Sequence, residues 1–93
     1  MGKYTLVISI EAKAQIASLY KTGNAALIRK LEQILRELID HPKTGTGKVE
    51  KLKGELQGYW SRRLNRKHQI VYEINDENVT VYVISAKSHY GDK

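Results

Sequence analysis

Glu50, Arg63, His89 and Tyr90 are the residues of this chain whose types could carry a reaction, with Lys51 and Lys53 close to the first of them. A carboxylate, an imidazole, a phenol and several cations are the ingredients of acid–base catalysis on a phosphodiester. One group takes a proton, one returns it, and cations neutralise the phosphoryl oxygens. RNA suits such a set because its 2′-hydroxyl is a nucleophile that the protein need not supply. Other chemistries lack their residues. With no cysteine, three histidines, and neither a His-x-x-x-His nor a paired-carboxylate cluster, a protein-built zinc or two-metal site is not expected. Thr44-Gly45-Thr46-Gly47-Lys48 is too short for a phosphate loop and does not open a helix after a strand. No Ser-His-acid nucleophile arrangement stands out either. Chemistry without metal or organic cofactor is what remains.

The charge distribution points the same way. Lys43, Lys48, Lys51, Lys53, Arg62, Arg63, Arg66 and Lys67 stand between His41 and Ile70 against only Glu50 and Glu55, so this segment carries the whole net charge of +6. Positive charge concentrated in one segment suits a polyanion, nucleic acid above all. A solvated lysine-rich loop is the plainer alternative. The 93 residues fit one domain, 1–93, with one core. Without cysteine that core holds by packing, not by disulfides. No apolar run reaches the roughly 18 residues of a membrane span, and the start lacks a charged leader with an apolar stretch, so a cytoplasmic protein is expected.

Patterning supplies the elements that must position these residues. Tyr4 to Ser9 reads as a strand. Ser9 then caps a helix with Glu11 in its first turn, and Ala12, Ile16, Leu19 and Tyr20 recur at helical spacing until Thr22-Gly23. Asn24 caps a second helix whose Leu27, Leu31, Ile34, Leu35 and Leu38 share one face, and His41-Pro42 ends it. So short a connection predicts an antiparallel hairpin. Lys43 to Gly58, with four of the seven glycines, reads as a loop holding one short strand around Val49 to Leu52. Tyr59 to Leu64, His68 to Ile74 and Val79 to Ser85 then form a three-stranded antiparallel meander. Its turns are Asn65-Arg66-Lys67 and Asn75-Asp76-Glu77-Asn78. The expected fold is α+β, with the helix hairpin on one face of a twisted four-stranded sheet and the other face free. Alternation assigns Ile70, Tyr72 and Ile74 to the core face, and sets Ser61 and Arg63 opposite Trp60 and Arg62. Trp60 and Tyr72 are expected in the core, His41 as a helix-terminal residue, and His68 as structural.

The segments GKVEKLKGELQGYWSRRLNRKHQIVY at 47–72 and SHY at 88–90 resemble the YoeB/Txe branch of the RelE toxin superfamily. These are bacterial toxins that cleave messenger RNA on the ribosome and are silenced by a cognate antitoxin. Gly58-Tyr59-Trp60-Ser61-Arg62-Arg63, His68-x-x-Val71-Tyr72 and His89-Tyr90 carry the likeness. It implies a ribosome-dependent endoribonuclease that uses the 2′-hydroxyl, with Glu50 as general base and His89 as general acid. Arg63 would hold the scissile phosphate, and Tyr90 would orient the substrate or stack on a base. Lys48, Lys51, Lys53, Arg62, Arg66, Lys67 and Gln69 complete the implied RNA-binding surface. The implied partners are mRNA on the ribosome, with rRNA contacts, and a YefM/Axe-like antitoxin, in a hetero-oligomer or beside a homodimer. No membrane, metal or cofactor is implied. The chain departs from the pattern twice: Gln69 stands where the family usually has arginine, and Gly91-Asp92-Lys93 extends past the tyrosine. Two other readings fit the same residues. One is a non-catalytic RNA- or ribosome-binding module in which Gln69 marks lost chemistry, and the other a domain docking an acidic protein partner.

Overall fold

A computed structural model describes residues 4–75 and 77–86, the last four by their backbone alone. Strand β1 (Thr5–Ile8) leads into helices α1 (Ile10–Lys21) and α2 (Ala25–Asp40). A loop, the two-residue strand β2 (Glu50–Lys51) and a 3-10 turn (Gly54–Leu56) follow, and then β3 (Tyr59–Arg63), β4 (His68–Asn75) and β5 (Asn78–Ala86). Both expected helix caps form. Ser9 Oγ accepts from the Ala12 N–H at 3.0 Å and Asn24 Oδ1 from the Leu27 N–H at 3.1 Å. Each satisfies a donor that the first helical turn would otherwise leave orphaned.

The strands run in the order β1-β5-β4-β3-β2. β1 lies parallel to β5, and every other pairing is antiparallel. Between these two parallel strands the chain passes through the helix hairpin and strands β2 to β4, well beyond the dozen residues that a parallel pair requires. One expectation changes here, since the sheet has five strands rather than four. The fifth is the short segment anticipated near Val49–Leu52, whose Glu50 and Lys51 pair with Ser61 and Trp60.

The core lies between helices and sheet. Leu27, Leu31, Ile34 and Leu38 of α2 and Ala12 and Leu19 of α1 pack with Ile70, Tyr72, Val79 and Val81, and Trp60 and Ile74 rest against them. Strand parity therefore follows the alternation read from sequence. The second face is not left open as expected: Ser61 is 3% exposed and Val71 1%. Beside them the rings of Tyr59 and Tyr82, from strands on either side of β4, stack with centroids 5.4 Å apart. Among the described residues, no helix is long and apolar enough to cross a membrane.

Leu31 and Ile34 are fully buried at the centre of the α2 stripe, whereas Leu35 on its margin is only partly so. Truncation of Leu31 or Ile34 to alanine is expected to cost about 2–5 kcal/mol in urea unfolding, and Leu35→Ala distinctly less.

Candidate active site

Two adjacent arginines of β3 face opposite ways. Arg62 points to the helix side and is 0% exposed. A guanidinium has five N–H donors, and here all are used. Nε donates to Tyr72 Oη at 3.2 Å. Nη1 donates to Glu37 Oε1 at 2.7 Å and to the Thr46 carbonyl at 3.4 Å. Nη2 donates to the carbonyls of His41 at 2.9 Å and Thr44 at 2.6 Å. Tyr72 Oη passes on a bond to the Pro42 carbonyl at 2.7 Å. Burial pushes the Tyr72 phenol up and Arg62 partly offsets this, so the phenol stays a donor. The expected assignment of Arg62 to the RNA surface is therefore corrected, because a guanidinium with every donor engaged in the core cannot meet a phosphate.

This network fixes the loop that carries the chain from α2 to β2. Glu37 receives the Thr46 N–H at 2.8 Å, the Thr46 hydroxyl at 2.7 Å and the Gln33 amide at 3.1 Å. Gly45 and Gly47 have φ of 125° and 92°. A Cβ at Gly45 would lie 2.5 Å from Glu37 Oε1, and one at Gly47 would lie 2.7 Å from the Arg63 carbonyl. Only glycine allows both the backbone conformation and the approach. Gly47 O then accepts the Arg63 N–H at 2.6 Å, which sets the loop beside β3 immediately before β2 begins.

Glu50 pairs with Ser61, and Arg63 lies two residues further along β3, so both belong to the face away from the helices. By sheet geometry their Cα atoms are about 8 Å apart. Gln69 is the cross-strand partner of Arg63 and shares that face. Its Nε2 is buried without a hydrogen-bond partner among the described residues. Lys48 Nζ stands 4.0 Å from Glu50 Oε2. Arg66 and Lys67 are exposed in the β3–β4 turn, where Asn65 Oδ1 accepts the Lys67 and His68 N–H groups at 2.8 and 2.7 Å. Lys51 goes the other way. Its Nζ lies 5.9 Å from the Trp60 ring centroid, on the helix side, and with Lys53 it lines an open hollow of about 370 Å³. His89 and Tyr90 lie outside the described residues. His68 Nδ1 lies 3.1 Å from Asn65 Oδ1 in the β3–β4 turn. His41 does more than end a helix, since its carbonyl receives Arg62 and its Nδ1–H donates to the Thr44 carbonyl at 3.0 Å.

A family model described as the YoeB-like toxin of bacterial type II toxin-antitoxin system matches residues 15–90. The chain belongs to the YoeB-like toxins. It is 42% identical over 62 residues to the YoeB toxin of Mycobacterium bovis, an alignment spanning 67% of this chain and 71% of that relative. Among solved structures it resembles the YoeB/ParE toxin from Agrobacterium tumefaciens, with a TM-score of 0.75, 27% identity and coverage of 88% of this chain and 96% of that one. It is similarly close to the YoeB-YefM complex from Staphylococcus aureus, with a TM-score of 0.73, 28% identity and coverage of 88% and 94%. The YoeB-like fold thus frames the site.

In this YoeB-like chain the residue that sequence reasoning missed is Glu37. It sits in the last turn of α2 and, among the described residues, is the carboxylate paired to Arg62, with its side chain 17% exposed. Its nearest signal was position, one residue before buried Leu38 and three after buried Ile34.

Burial alone pushes the Glu37 carboxyl up, but the bonds from Thr46, Gln33 and Arg62 outweigh it and lower it from 4.5 to about 2. A carboxyl whose pKa is depressed by folding stabilises the protein above its unfolded value and loses that contribution as pH falls through the folded one. Stability should therefore decline between about pH 4.5 and pH 2 by about 2–3 kcal/mol, a figure reduced for partial solvent contact. Glu37→Gln should flatten that part of the curve in pH-dependent urea unfolding. Arg62→Ala leaves Glu37 and buried carbonyls unpaired and should cost about 3–5 kcal/mol at neutral pH.

Proposed function

We propose that this YoeB-like toxin is a ribosome-dependent endoribonuclease that cuts mRNA by attack of the 2′-hydroxyl. The observation that carries the reading is the β2–β3 register, which sets the Glu50 carboxylate and the Arg63 guanidinium on one face, one residue pair apart. In the proposed reaction the Glu50 carboxylate takes the 2′-hydroxyl proton and the 2′-oxygen bonds to phosphorus. The P–O5′ bond breaks, and protonated His89 gives its proton to the departing 5′-oxygen. The products are a 2′,3′-cyclic phosphate and a 5′-hydroxyl.

Arg63 neutralises the non-bridging oxygens as charge develops on them. Gln69, beside it, is neutral where a guanidinium would add full charge. Tyr90 orients the nucleotide. His89 and Tyr90 follow Ala86, the end of β5, by three and four positions, and β5 at Ser85 is in register with Gln69. Lys48, Arg66 and Lys67 serve the flanking phosphates. A compact protein with so few groups gains much from a ribosome that presents the strand already oriented. The antitoxin is a YefM/Axe-like chain whose acidic segment folds over the basic surface, and the setting is the cytoplasm.

In a translating extract, Glu50→Gln and His89→Gln should each lower mRNA cleavage by about 10²–10⁴-fold without loss of fold, and EDTA should leave the rate unchanged. Gln69→Arg should raise the rate. Undiminished cleavage in both loss variants removes Glu50 and His89 from the chemistry, and RNA binding without cleavage by the wild type would make the protein a binding module.

A further inference from the structure

The aromatic pair on the second face of the sheet has no part in this chemistry. Tyr59 opens β3 and Tyr82 lies in β5, with β4 between them, yet their rings stack with planes 22° from parallel. An irregularity in the β4–β5 ladder makes this possible. Val71 pairs with Val83 and Tyr72 with Val81, so Tyr82 is the unmatched residue between them. Tyr82 Oη donates to Glu73 Oε1 at 2.8 Å, and Glu73 is the cross-strand partner of Tyr59. Side chains from three strands thus hold one aromatic pair in place. The bond to Glu73, then burial, push the Tyr82 phenol up, so it remains a donor at neutral pH. Despite these contacts Tyr82 is 37% exposed.

A fixed aromatic ring open to solvent is suited to stacking. What stacks there follows from the rest of the face. Tyr59 and Arg63 are four residues apart in one strand and on the same side, about 13 Å along the sheet. A single nucleic-acid strand covers that distance in at most about four nucleotides at its stacked rise of about 3.4 Å. The Arg63 end is cationic, with exposed Arg66 and Lys67 in the adjoining turn. The Tyr59 end is aromatic and, through Glu73, anionic, which does not suit a phosphate. A groove with cations for the backbone and an aromatic face for a base is how proteins hold single strands.

We propose that Tyr59 and Tyr82 form a base-stacking platform for single-stranded RNA, gripping a nucleotide within about four positions of the phosphate at Arg63. The proposal rests on the nuclease reading for the place of that phosphate. Because every base has a π-face, the platform sets the strand's register without selecting its sequence.

The test is fluorescence anisotropy of the full chain with a seven-nucleotide RNA, repeated with one abasic residue moved along the strand. Tyr82→Ala should weaken binding by about 5- to 100-fold, while Tyr82→Phe keeps most of the affinity. In the wild type one abasic position should cost affinity that Tyr82→Ala no longer loses there. If Tyr82→Ala does not fold, the abasic scan of the wild type decides alone. Wild-type affinity in Tyr82→Ala with a clear loss in Arg63→Gln would overturn the platform and leave the RNA reading intact. No RNA binding by the wild type overturns the platform, while mRNA cleavage in the translating extract decides the nuclease reading separately. Equal loss in Tyr82→Phe, or an abasic scan without a sensitive position, overturns stacking. Weaker binding of the cognate antitoxin but not of RNA in Tyr82→Ala would make the face a protein-docking surface instead.

Discussion

A buried guanidinium is the constraint on which the rest of this protein depends. A charge withdrawn from water costs several kcal/mol unless its hydrogen bonds and countercharge are supplied in good geometry. Arg62 meets that demand with one carboxylate, one phenol and three carbonyl oxygens drawn from α2, the following loop and β4. Satisfying all five donors ties these segments to one another, and loss of any of them would leave part of the buried charge without a partner. The loop it captures delivers Gly47 to the backbone of Arg63, and the next residues become the edge strand that bears Glu50. The candidate base is thus held by a charge on the other side of the sheet.

Adjacent arginines accordingly divide two tasks. Alternation along β3 sends Arg62 into the core and Arg63 to the face proposed for phosphate, so the same residue type is scaffold at one position and available cation at the next. Only the second adds to the basic surface. A similar division separates Glu50 from Lys51, whose ammonium covers the Trp60 ring on the helix side.

The sequence made much of this legible, for identifiable reasons. Ser9 and Asn24 precede helices because their side-chain oxygens satisfy first-turn N–H groups, and both do so. The leucine stripe of α2 and the alternation of β4 follow from burial on one side, and both reappear as core. Arg62 was misread because a basic residue inside a basic run resembles surface, although its parity with Trp60 pointed inward. Glu37 could not be recognised, since its partner lies 25 positions away and nothing local marks the pair. The tyrosine stack was hidden for a related reason: alternation within one strand gives a face, but not a partner two strands distant.

The parallel union of β1 with β5 bears on how the molecule assembles. Ser9 Oγ donates to the Tyr82 carbonyl at 2.6 Å across 73 positions, and Thr5 through Ile8 register with Asn78 through Val81. Closing so large a loop carries an entropic cost that the β3–β5 meander, built from neighbouring segments, does not share. High contact order of this kind slows folding. The meander and helix hairpin are therefore expected to form early, with the N-terminal strand docking late to cover the β5 edge.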